Sequence, residues 1–164
     1  MARRVYWSFY FKEDSSRIQQ VINMGAVEGQ RVLTGQKWEE VKKGGDTAIK
    51  KWINDEMAGK TCLVVLVGTN TSKRPWVNYE IIKAWNDKLG VVGVRIHGLR
   101  DLISQSTSTR GNSPFDGINV NGKPMGSIVT LYDPPGANSK AVYASINDNM
   151  EKLVEDAIKI RNKY

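Results

Sequence analysis

The sequence predicts an α/β domain with a central parallel sheet of five strands and helices on both faces. Two observations predict it. Apolar, β-branched runs alternate with amphipathic helical stretches along the chain, the pattern of a parallel sheet covered on both sides. The run Cys62–Val67 is continuously apolar, as expected for a strand buried on both faces.

The elements follow in order. Arg4–Phe11 is rich in aromatic residues and reads as the first strand. Asp14-Ser15-Ser16 offers helix caps, and Ile18, Val21 and Ile22 continue at helical spacing. Met24–Gly35 reads as a loop with a possible short strand at Arg31–Leu33. Gly44-Gly45-Asp46 breaks the chain before a helix over Thr47–Met57, with Asp46 as its cap and Ile49, Trp52 and Ile53 as its apolar face. After the strand Thr61–Val67 and a polar turn, a helix over Trp76–Lys88 should turn Ile81, Ile82, Trp85 and the following Leu89 to the sheet. Val91–His97 is the next strand, and Ser127–Asp133, stopped by Pro134-Pro135, is the last. Between them Leu99–Gly126 is long and polar, an elaborated loop that borders a pocket or serves as an interaction surface. Val142–Ile146 is either a short edge strand or the lead-in to a final helix capped by Asn147, with Met150, Leu153, Val154, Ala157 and Ile158 as its stripe.

The 164 residues suit one compact domain, residues 1–164, with no linker or internal repeat. No apolar run approaches the roughly 20 residues needed to span a bilayer. Val5–Phe11 is too short and aromatic for a signal-peptide core, so a cytoplasmic protein is expected. One cysteine and one histidine leave no internal disulfide and argue against a Cys/His metal site. A net charge of +7 suits an anionic ligand. The basic residues are dispersed, however, and no basic block with interleaved aromatics points to nucleic acid.

Several motifs fail. Gly117–Lys123 resembles a phosphate-binding loop, but Pro124 replaces the magnesium-holding hydroxyl residue and no strand precedes it; a turn is the better reading. No Gly-x-Gly-x-x-Gly follows a strand. His97 lacks a nucleophile elbow to serve. What remains is Trp76-Val77-Asn78-Tyr79-Glu80, which places an indole and a carboxylate one helical turn apart, just after a buried strand. Ligands of open α/β sheets bind beyond the carboxyl ends of the strands. On spacing alone, the favoured reading of Glu80 is a solvated carboxylate near a helix N-terminus.

The order of features resembles the TIR domain, and within it the bacterial TIR-like family of Thoeris antiphage defence. Five pieces carry the resemblance: Val5–Phe9; Trp38-Glu39-Glu40; Gly45–Ile53; Leu63–Gly68; and Trp76–Ile81. Together they span roughly residues 4–98. Departures are Val77, where many TIR domains have cysteine, and the lack of an obvious proline-containing loop after Leu33. The resemblance implies a flavodoxin-like fold, with Glu80 as the catalytic residue and Tyr10, Phe11, Asp14, Thr69 and Trp76 around the substrate. It implies NAD+ as substrate with no metal or further cofactor. The product would be a cyclic ADP-ribose-type messenger for a separate effector, with possible TIR–TIR self-assembly and no nucleic acid or membrane partner. A non-catalytic TIR adaptor is the alternative. A receiver-like module also fits the element order, but no acidic cluster follows the first strand; Asp14 stands alone there.

Overall fold

The computed structural model describes residues 3–30 and 35–164. The chain runs through β1 (Arg4–Ser8), α1 (Phe11–Asn23), β2 (Glu28–Gly29), α2 (Gly35–Lys43), α3 (Gly45–Met57), β3 (Cys62–Val67), α4 (Pro75–Asn86) and β4 (Gly90–Arg95). A small hairpin of β5 (Asn119–Val120) and β6 (Lys123–Pro124) follows, then β7 (Thr130–Tyr132) and α5 (Ser139–Arg161). Five strands form one parallel sheet in the order β2-β1-β3-β4-β7, the flavodoxin-like arrangement.

Burial explains the layers. All six residues of β3 and all six of β4 are buried, so both central strands are covered on each side. One face carries Tyr6, Leu63, Val65 and Val67 against Ile49 and Ile53 of α3 and Val77 and Ile81 of α4. The other carries Val5, Trp7, Val64, Leu66 and Val94 against Ile18 and Val21 of α1 and Ile146, Met150 and Val154 of α5. The single cysteine, Cys62, is buried, which pushes its thiol well above the usual range, so it behaves as a small core hydrophobe.

Several boundaries differ from expectation. The expected strand Arg31–Leu33 lies outside the described residues; the edge strand seen is Glu28–Gly29, paired with Arg4 and Val5. β1 stops at Ser8, and α1 begins at Phe11 with Tyr10 as its cap residue. Asp14, expected to cap that helix, is buried within it at a kink with φ −118° and ψ 15°. α2 fills the stretch before Gly44, to which the sequence pattern assigns no element. α3 starts one residue before Asp46, because Gly45 takes the left-handed turn at φ 73°.

The final helix is capped by Asn138, whose side-chain oxygen accepts from the Ala141 N–H at 2.9 Å. Asn147 is therefore interior, and Val142 and Ile146 belong to the helix core. Ile82 is 41% exposed rather than turned to the sheet. The segment between β4 and β7 is less of a loop than its composition suggests: Phe115, Ile118, Val120 and Met125 are buried against the α4 face. Its Gly117–Lys123 run is the β5–β6 hairpin, turned by Asn121 and Gly122 at φ 51° and 80°. No helix among the described residues is long and apolar enough to cross a membrane.

Candidate active site

From β1 the sheet grows outward to β2 on one side, while β3, β4 and β7 extend it on the other. The order therefore reverses between β1 and β3, and the crevice beyond their carboxyl ends is where such folds bind ligands. α4 supplies the central side chain. Pro75 occupies its first turn, where no backbone N–H is missed. Val77, Glu80, Ile81, Ala84 and Trp85 form its buried stripe at helical spacing. Glu80 is the only charged residue in that stripe and is 8% exposed.

A carboxylate in an apolar stripe must be hydrogen-bonded. Both oxygens of Glu80 are served from β1. The Tyr6 hydroxyl donates to Oε2, and the Ser8 hydroxyl donates to Oε1 at 2.8 Å. Tyr6 and Ser8 are two residues apart and so leave the same face of the strand. Burial pushes the Glu80 carboxyl up to about 7, against the pull of the two hydroxyl donors. Burial, and then the charge of Glu80, holds the Tyr6 phenol well above its usual value, so Tyr6 remains the donor of the pair. A nearly buried carboxyl that titrates near neutrality suits a functional site better than a solvated helix surface.

None of the other predicted residues is bonded to Glu80, and they fall on different parts of the fold. Tyr10 lies under the Arg74 guanidinium, 4.2 Å from its ring centroid. Trp76 is partly buried on the α4 face and meets Tyr79 edge-on at 5.5 Å, so it anchors the start of the helix. Phe11 packs, partly buried, against the opposite core, on the α1 and α5 side. Thr69 follows β3 and donates through its hydroxyl to the Thr109 carbonyl.

Asp14 is 2% exposed and packs directly on Gly68, where a methyl group would collide with its carboxylate. Arg17 stands 3.4 Å away, and Asp14 Oδ2 makes no hydrogen bond to a described residue. Burial raises the Asp14 carboxyl to about 6, opposed by Arg17. Arg17 also donates to the carbonyls of Leu99 at 2.9 Å and Ser106 at 3.0 Å. The segment after β4 is thereby strapped across the carboxyl edge of the sheet.

The geometry adds Tyr6, Ser8 and Arg17, which motif reading passed over. One signal was available for the first two: in Val5-Tyr6-Trp7-Ser8 both hydroxyls fall on one side of a strand expected to be buried. Buried hydroxyls need partners, and Glu80 is theirs.

A five-stranded parallel sheet in this order, with helices on both faces and a carboxylate at its reversal point, defines a flavodoxin-like α/β domain of the architecture TIR-like domains share. Residues 6–101 match the family described as Thoeris protein ThsB, TIR-like domain. The chain belongs to that family. It is also 30% identical, over 141 residues, to the Bacillus cereus (strain MSX-D12) protein named "Putative cyclic ADP-D-ribose synthase ThsB1". The matched region covers 83% of this chain and 73% of that relative.

Proposed function

We propose that this protein cleaves NAD+ at the bond between nicotinamide and ribose, with Glu80 as the catalytic carboxylate, and closes the product into a cyclic ADP-ribose-type messenger. The observation that carries the reading is the buried Glu80 carboxyl at the sheet reversal, held by Tyr6 and Ser8, in a chain of this family. The name of the Bacillus cereus relative supports the reaction class.

The chemistry needs few groups. The nicotinamide ring, cationic at the nitrogen bonded to ribose, leaves the sugar as a neutral base by taking the bonding pair, so no general acid is required and the paired carboxylates of ordinary glycoside hydrolysis are unnecessary. One ionised carboxylate accepts a hydrogen bond from a ribose hydroxyl and stabilises the positive charge developing on the sugar. Ser8 ends β1 and lies two residues closer than Tyr6 to the carboxyl edge, so a ribose hydroxyl entering there replaces Ser8 at Oε1 while Tyr6 keeps Oε2. Tyr10 and Trp76 are the aromatic residues for the departing ring, and Asp14 and Thr69 complete the substrate set; Phe11, packed on the opposite core, is not part of it. Attack by water, which then loses a proton, gives ADP-ribose. Attack by an adenosine atom gives a cyclic product, favoured when the bound substrate is folded and water excluded. The reaction uses no metal and no cofactor besides its substrate. A cytoplasmic location, a separate messenger-binding effector and TIR–TIR assembly complete the reading.

A second reading, a non-catalytic adaptor, is favoured by one feature: with Tyr6 and Ser8 both bonded, Glu80 is satisfied without a ligand. Nicotinamide release from NAD+ by wild type and Glu80→Gln, measured in dilute and self-assembled samples, separates the two. Release by wild type alone supports the enzyme, and chromatography then assigns the product as cyclic or linear. No wild-type release in either sample, or equal release by the variant, favours the adaptor.

A further inference from the structure

Arg95 ends β4 and is 7% exposed. It leaves the sheet on the face that carries Glu80. The ladder aligns Ser8 with Val65 and Val65 with Gly93, and Arg95 is two residues further along. Two strand spacings and two residue rises separate the Ser8 and Arg95 backbones by about 12 Å.

Its guanidinium is poorly matched within the protein. Nη1 donates to the Gly111 carbonyl at 2.6 Å, and the other four N–H donors make no hydrogen bond to a described residue. Among the described residues no carboxylate forms an ion pair with it; Asp133 is taken by Arg110 at 2.8 Å. Gly111 packs so closely on the Gly68 and Thr69 carbonyls that no side chain fits there. Through Gly111, Arg95 is tied to the carboxyl end of β3, in the crevice that also holds Asp14. Asp133 and Asp116 are near enough to act on its charge, and Arg110 opposes them, but neither carboxylate bonds to it. A shielded guanidinium with spare donors and no directly paired carboxylate is built for an anion that arrives from outside.

We propose that Arg95 is the phosphate anchor of this site, taking the pyrophosphate of a dinucleotide whose ribose reaches Glu80. The proposal rests on the NAD+-cleaving reading for its ligand. The forked donors suit two phosphate oxygens at once, which a lysine cannot reproduce. Arg95 then sets specificity for dinucleotides over nucleosides.

Binding by the full chain tests this without catalysis. In the Glu80→Gln background, affinities for inorganic pyrophosphate, ADP-ribose and adenosine are measured by calorimetry with Arg95 intact, as Arg95→Gln and as Arg95→Lys. Folding of each variant is checked by circular dichroism. The expected result is a roughly 10–100-fold weakening for pyrophosphate and ADP-ribose in Arg95→Gln, with adenosine unchanged. Arg95→Lys should fall between, and it carries the test by itself if Arg95→Gln does not fold. Equal affinities across the variants, no pyrophosphate binding with Arg95 intact, or equal weakening for adenosine would overturn the proposal. Anion binding that depends on Arg95 while wild type releases no nicotinamide would leave the anchor standing and remove the catalytic reading.

Discussion

The Tyr6 hydroxyl on β1 and the Glu80 carboxylate on α4 form a buried hydrogen bond across 74 positions of sequence. It ties the catalytic candidate to the strand on which the sheet order reverses. It also fixes the direction of donation, since burial and the charge of Glu80 both keep the phenol protonated.

Tyr6→Phe removes that donor and little volume. Glu80 Oε2 is then buried without a partner, which costs about 1–3 kcal/mol of stability, measurable by urea denaturation. The hydroxyl also pulls the Glu80 carboxyl down, so its loss should move titration above about 7. Carbon-13 titration of Glu80 in wild type and variant reads that shift directly. An unchanged or lower titration point would contradict the role given to Tyr6.

Stability should fall as pH rises from about 4.5 to about 7. Glu80 ordinarily titrates at 4.5 and is raised to about 7 by folding, so in that window the native state holds a proton that the unfolded chain has released. The full effect is about 3 kcal/mol. Asp14, raised to about 6, acts with the same sign over a lower range. Urea midpoints at pH 5 and pH 8 should differ in that direction for wild type, and less for Glu80→Gln.

The same raised carboxyl sets the pH dependence proposed for catalysis. Glu80 must be ionised to stabilise the ribosyl cation, so nicotinamide release should climb as pH rises through about 7. A rate that declines through this range would contradict an ionised Glu80.

Arg17→Ala should loosen the strap over the carboxyl edge. It removes the charge partner of buried Asp14 and the donors to Leu99 and Ser106, a change of about 3–5 kcal/mol. Hydrogen exchange should rise first in residues 99–110, before the central strands. Uniform protection across the chain would show that the strap is held by other contacts.

The sequence made the sheet legible because its strands are continuous in type: six apolar residues in β3 admit no other burial. The site was half legible. The place of Glu80 after that strand made it worth explaining, but only the TIR resemblance made it the catalytic candidate, while Tyr6 and Ser8 looked like ordinary strand residues until α4 was packed over them. Asp14 looked like a helix cap because Asp-Ser-Ser commonly is one; its burial against Gly68 depends on the distant end of β3. The Asn147 boundary failed for a related reason, since Val142 and Ile146 fit a strand or a helix equally well. Arg95 gave no signal at all, because an arginine ending an apolar strand reads as solvated until the Gly111 segment folds over it.

The most direct test of the central claim is nicotinamide release from NAD+ by Glu80→Gln beside wild type, in samples shown to be folded and equally assembled. The isosteric change keeps the Tyr6 and Ser8 neighbours but removes the charge that would meet the ribosyl cation. The account predicts release by wild type and at least a roughly hundredfold loss in the variant. Equal release by the two proteins would contradict it.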